Sequence, residues 1–282
     1  MRFRHALRLM RPKQWVKNFF VFAPLMFARG FTDPLKWQVS LVAFAYFCLA
    51  SAFVYVLNDL RDIESDRRHP YKSQSRPLAS GEVNVETAKW MLGLFALLLA
   101  SGFLVIPKVI LVILGYVALN VGYSFFARRV PVLDIFTIAL GFVLRVFAGA
   151  LAIEVPVSGW MFVTTLCLAL YLAALKRRHE FRVHGSEFRK SLGGYTAVVV
   201  ERFAEISATA ALVCYSIFAL TVQTELVYTI PLVAFGLFRY WLITERLTSS
   251  ESPTEAMLRD FQLVGAVVLW VLTCAWALIA GH

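Results

Sequence analysis

The chain has 282 residues, of which 59% are hydrophobic and only 16% charged, with 24 Phe and a formal net charge of +10. Its mean hydropathy of +0.68 excludes a soluble globular composition. A membrane span needs about 20 apolar residues, and nearly the whole chain is taken up by such runs. The reading is an all-α polytopic membrane protein with one membrane-embedded domain over residues 1–282.

In chain order, MRFRHALRLMRPKQW carries basic residues but no apolar run before Pro12 and no small-residue cleavage site. It is expected to be an interfacial basic helix with Leu7 and Met10 dipping into lipid, not a removable signal peptide. Nine spans are then predicted, at approximately 15–31, 37–57, 87–106, 108–127, 132–153, 159–176, 203–223, 226–244 and 261–280. Of the 28 Lys and Arg, twenty-four fall on one set of alternating loops and three on the other, with Arg145 inside a span. By the positive-inside rule the N-terminus and even-numbered loops are cytoplasmic and, with nine spans, the C-terminus is extracytoplasmic. The same partition explains the basic charge without a nucleic-acid partner. Cys48, Cys167, Cys214 and Cys274 each sit alone in an apolar run and read as small hydrophobes.

The first predicted span opens with RPKQWVKN, residues 11–18, where Trp15 suits the interface and Lys17 and Asn18 could face a polar cavity. Pro24 is expected to kink this helix. The second span delivers the chain to residues 58–81, NDLRDIESDRRHPYKSQSRPLASG. Asp59, Asp62 and Asp66 return to one face if the helix continues. Three carboxylates so close repel unless a cation sits among them, and a hard divalent ion shared with substrate phosphates answers that need, Mg²⁺ first and Mn²⁺ as the alternative. Arg67, Lys72 and Arg76 follow and suit phosphate oxygens. A solvated loop with randomly paired charges is the bland alternative.

Further along, Asn120 and Tyr123 lie near the end of the fourth span, and Asp134 and Arg145 lie inside the fifth. Intramembrane charges are costly and mark function or a buried ion pair. On one straight helix these two are about 16 Å apart and cannot pair, so each needs another partner. The sixth span ends in KRRHEF, residues 176–181, which is either a positive-inside stop or a second anion site facing the first.

The pattern N-D-x-x-D-x-x-x-D, a following basic residue and R-P-L-x-x-G resembles the first Asp-rich motif of the UbiA-type prenyltransferase superfamily. Asn58, Asp59, Asp62, Asp66, Arg67, Arg76, Pro77 and Gly81 match it in turn. The resemblance implies nine transmembrane helices in a UbiA-type bundle. Ordinary members carry a second Asp-rich motif after the sixth span, where this chain has KRRHEF with Glu180 as its only acid. That departure, together with RPKQWVKN, resembles the decaprenyl-phosphate phosphoribosyltransferase branch.

The branch implies transfer of 5-phosphoribose from 5-phosphoribosyl 1-diphosphate (PRPP) to a polyprenyl phosphate, toward a lipid-linked pentose of a bacterial envelope. On that reading Asp59, Asp62 and Asp66 hold the metal and Asn58 orients them. Arg67, Lys72 and Arg76 hold donor phosphates. Lys17, Arg145, Lys176 and Arg177 hold the acceptor phosphate or the 5-phosphate, and Tyr123 and Glu180 reach the ribose hydroxyls. The expected location is the bacterial cytoplasmic membrane, with the site facing the cytoplasm, membrane lipids as surroundings and self-association left open. The alternatives are a prenyltransferase with a prenyl diphosphate donor and an aromatic acceptor, or a transporter built around Asp134 and Arg145.

Overall fold

A computed structural model describes residues 2–68, 72–184, 195–247 and 253–280. The chain begins with α1 (Arg2–Met10), a 3-10 segment (Pro12–Phe22) and α2 (Ala23–Phe27). The long α3 (Pro34–Arg61) follows, capped by the Asp33 side chain accepting from the Leu35 amide, and then the short α4 (Ile63–Arg67) and α5 (Lys72–Ser75). Next come α6 (Val85–Ala100), α7 (Gly102–Val105), α8 (Pro107–Phe125), α9 (Leu133–Ala152), α10 (Gly159–His184) and α11 (Ala197–Thr221). The set closes with α12 (Ile230–Arg246), α13 (Pro253–Arg259) and α14 (Phe261–Ala280). Among the described residues every regular element is helical.

Eight helices among the described residues are long and apolar enough to cross a membrane, against the nine predicted. The difference lies in the first. Residues 15–31 form no single α-helix, because the 3-10 segment gives way to α2 at Pro24, which occupies the first turn of α2 and breaks no existing helix. A 3-10 segment rises about 2 Å per residue, so residues 12–27 still extend about 30 Å, close to one hydrocarbon thickness.

The core is built where helices meet around this irregular segment. Val21 packs with Phe47 and Val54 of α3, Ile110 and Ile113 of α8 and Ala148 of α9. Contact is close enough that a Cβ added to Gly149 would lie 1.9 Å from the Val21 carbonyl oxygen, so only glycine fits that position of α9. Below it, Met26, Phe27 and Phe31 join Phe218, Leu226, Cys274 and Leu278, which closes the ring from the first segment to α14. Ala173, Val200, Leu237 and Leu263 form the opposite side through α10, α11, α12 and α14.

Helix α1 packs on the bundle through one face. Leu9 is fully buried against Val56, Leu78 and Val83, while His5 and Arg8 bond Glu82. The helix therefore lies on the loop that carries R-P-L-x-x-G, anchored by Leu9 with Met10 partly buried beside it, while Leu7 is exposed as the interfacial reading expects.

Candidate active site

The acidic block stands at the end of α3, and its helix does not continue as the one-face argument required. Asp62 terminates α3, and α4 restarts at Ile63, so the three aspartates point to two places. Asp59 and Asp66, both 2% exposed, converge on Arg76, whose Nη1 donates to Asp59 at 2.9 Å and also to Asp66. Arg11 donates to Asp59 from the other side. Asp62 instead accepts from Arg61 at 2.8 Å and Arg128 at 3.0 Å. Burial pushes the Asp62 carboxyl up, but the bonds from Arg61 and Arg128 outweigh it and hold it at about 2, so it is ionised at neutral pH.

The loop after α5 is shaped by its motif residues. Leu78 is a fully buried plug under α1, and Gly81 has a φ of +81°, which glycine adopts without the strain a side chain would bring. Arg67 is exposed on α4. The Lys72 side chain and residues 69–71, including Pro70, lie outside the described residues.

Asn58 faces α8, where its side-chain oxygen accepts from Ser124 at 2.6 Å. The neighbouring Tyr123 meets the KRRHEF segment. Arg177 is 0% exposed and donates to Asp134 at 2.7 Å, to Glu180 at 2.5 Å and to Tyr123 at 2.5 Å. Tyr195 completes the group by donating to Asp134 at 2.7 Å while accepting from the Val132 amide. Asp134 thus finds the partner that the sequence argument required, and KRRHEF turns inward across Tyr123 and Ser124 toward the acidic block. Arg177, expected on a phosphate, has a full set of internal partners. Tyr123 and Glu180, expected on ribose hydroxyls, each bond Arg177.

Arg145 is 4% exposed and has only neutral hydrogen-bond partners: Asn18 at 2.8 Å, the Gly141 carbonyl at 2.7 Å and Tyr116 at 3.0 Å. The rings of Phe47, Tyr116 and Phe142 surround its guanidinium at 4.6 to 5.5 Å. Lys17, half-buried on the 3-10 segment, lies within electrostatic reach of Lys176, Arg145 and Arg11. Four cations from three parts of the chain therefore share one region, and Arg11 joins that region to Asp59.

Reasoning from sequence missed Arg11, Arg61, Arg128 and Tyr116. Arg11 alone had a signal, since it heads RPKQWVKN; the others are known only from the packing of α3 and α8.

Among the described residues no three metal-ligating side chains converge on one point. A divalent cation nonetheless suits the donor set, because two buried carboxylates already share a single cationic centre at Arg76.

Comparison with known proteins bears on the family and the fold. The family model described as UbiA prenyltransferase family matches residues 18–263. A decaprenyl-phosphate phosphoribosyltransferase from Mycolicibacterium smegmatis is 33% identical, with 96% of this chain and 92% of that protein covered. Its counterpart from Mycobacterium tuberculosis is 30% identical over 98% of this chain and 95% of that one. Among solved structures, a UbiA homologue from Archaeoglobus fulgidus bound to GPP and Mg²⁺ superposes with a TM-score of 0.71 at 22% identity, covering 97% of this chain and 99% of that one. A match over most of the sequence, the shared helical bundle and the Asp-rich block at the end of α3 lead to one assignment: the chain belongs to the UbiA prenyltransferase family.

Proposed function

We propose that this protein transfers 5-phosphoribose from PRPP to a polyprenyl phosphate in a bacterial cytoplasmic membrane, releasing diphosphate. The observation that carries the reading is the grouping of Lys17, Arg145, Lys176 and Arg11 beside the acidic block, in a chain whose KRRHEF segment offers Glu180 as its only acid. A second metal clamp would need acids there. A phosphate-bearing acceptor needs cations.

The acceptor phosphate is already an ionised nucleophile, so the site needs no general base. Lys17, Lys176 and Arg145 hold it, while Asp59 and Asp66, which converge, would hold Mg²⁺ or Mn²⁺ on the donor side, joined by Asp62 once its carboxylate leaves Arg61 and Arg128, with Asn58 setting their orientation. When bound, the metal neutralises charge on the departing diphosphate. Arg67, Lys72 and Arg76 are assigned to the donor phosphates. An acceptor phosphate oxygen forms the new bond to ribose C1 as the bond from C1 to the diphosphate oxygen breaks, and the bond electrons leave with diphosphate. Holding both substrates in line supplies the orientation on which such a displacement depends. The polyprenyl chain stays in the bilayer and PRPP enters from the cytoplasm. The product suits supply of a lipid-linked pentose, of the arabinofuranose type, to the cell envelope.

Two features bear on the alternatives. Asp134 and Arg145, the charges behind a transporter reading, both have partners within the bundle. The prenyltransferase alternative predicts turnover of prenyl diphosphate. Purified protein with Mg²⁺, PRPP and polyprenyl phosphate is expected to release diphosphate, and Asp59→Asn and Asp62→Asn are each expected to lower the rate by about 100-fold or more in folded protein. Consumption of prenyl diphosphate with an aromatic acid, and none of PRPP, would overturn the proposal. Full activity in both variants would remove the metal assignment.

A further inference from the structure

A second basic feature is built from residues outside the acidic block. A cavity of about 250 Å³ opens between α12, α13 and the start of α14, lined by Arg239, Arg246, Arg259 and Asp260 with Leu242 and Ile243 on its wall. Positions 239, 242, 243 and 246 recur on one face of α12, so the cavity follows that face for about 10 Å, the rise of seven helical residues. Arg239 lies about two turns before the C-terminal end of α12. Its guanidinium is held by Asp260, with Nε at 3.0 Å and Nη2 at 2.7 Å, and the same carboxylate caps α14 by accepting from the Leu263 amide at 2.8 Å.

Arg246 and Arg259 differ from Arg239. Both are exposed, and among the described residues neither has a hydrogen-bond or ion-pair partner. Three guanidinium groups against one carboxylate leave the cavity with a net positive charge. A positive-inside bias requires basic residues on a cytoplasmic loop, but it does not require three of them around one cavity.

The surroundings define the rest of the ligand. Phe238, Leu242, Phe261 and Val264 are exposed on α12 and α14 beside the cavity. A ligand filling this place carries an anionic head for the arginines and acyl chains for the apolar flank, and a free anion satisfies only the first half.

We propose that the cavity between α12, α13 and α14 is a binding site for an anionic phospholipid, with Arg246 and Arg259 on the headgroup phosphate. Basic pockets between transmembrane helices on the cytoplasmic side suit such headgroups. None of the lining residues is assigned a role in the transfer, so failure of this proposal leaves the proposed reaction untouched.

The test uses the full chain in detergent, with its unfolding midpoint followed during titration with dioctanoyl phosphatidylglycerol, dioctanoyl phosphatidylcholine or inorganic phosphate. Phosphatidylglycerol is expected to raise the midpoint by about 5 °C or more at saturation, and phosphatidylcholine and inorganic phosphate to leave it within error. Arg246→Gln with Arg259→Gln should abolish the rise. Should that pair fail to fold, Arg259→Glu, at an exposed side chain, should abolish most of it alone. An equal rise with phosphatidylcholine, a full rise with inorganic phosphate, or an undiminished rise in the variants overturns the proposal.

Discussion

At the scale of single residues, the adjacent Lys176 and Arg177 separate substrate contact from architecture. Arg177 has no exposure and is bonded to Asp134, Glu180 and Tyr123. Removing one partner of a buried ion pair leaves an uncompensated charge, so Arg177→Ala is expected to cost about 3–5 kcal/mol and to appear as a lowered unfolding midpoint. Lys176 is half-buried near Lys17. Lys176→Ala is expected to keep its midpoint within about 1 kcal/mol equivalent while losing diphosphate release. The reverse pattern, a stable Arg177→Ala and an unfolded Lys176→Ala, would exchange the two roles. The sequence showed that KRRHEF is basic. It could not show which of two neighbouring cations turns inward, because that depends on where α10 meets Asp134 of α9 and Tyr123 of α8.

At the scale of elements, the motif residues of the acidic block were legible and their arrangement was not. The spacing of Asp59, Asp62 and Asp66 suits one face only on an unbroken helix, and the chain breaks at Asp62, where Arg61 and Arg128 take its carboxylate. Arg128 approaches from the turn after α8, which no local pattern around residue 62 could reveal. The long apolar helices were legible from length and hydropathy, most ends to within a few residues, but α10 continues to His184 and α11 begins at Ala197, where spans ending at 176 and starting at 203 are predicted, because their polar last and first turns carry no hydropathy signal. The exception is residues 12–27. Their 3-10 geometry follows from docking onto α9, and the Gly149 position records that contact. Gly149→Ala is predicted to cost about 1–3 kcal/mol by overpacking, because the atom it meets is backbone and cannot rotate away. Ala substituted at Gly115, where an added Cβ meets nothing within 4 Å, is the control and should leave the thermal midpoint unchanged.

At the scale of the whole molecule, the orientation in the membrane rests on whether residues 12–27 cross it. If they do, the twenty-four cytoplasmic Lys and Arg fall on the same side as the acidic block, and the chain after α14 emerges on the other side. Fusions after Ala280 are the check: alkaline phosphatase is expected to be active there and green fluorescent protein dark. A fluorescent fusion would place the end of α14 in the cytoplasm and invert the orientation, because residues 12–27 run from Asp59 at one end of α3 to Asp33 at the other.

The contact between the first segment and the last helices also has a bearing on how the protein is made. Lys13 on the 3-10 segment bonds Glu255 on α13 at 3.1 Å, across 242 positions of sequence, and α2 packs on Trp270 of α14. A ribosome adding about 5–20 residues per second needs roughly 10–50 s to synthesise the chain between those two points. Until then the first segment, whose Val21 packs on α3, α8 and α9, lacks its contacts with α13 and α14, so the bundle closes last although that segment is translated almost at once. A nascent chain stalled before α13 would therefore enter the bilayer with its site residues already translated but without the contacts that close the bundle.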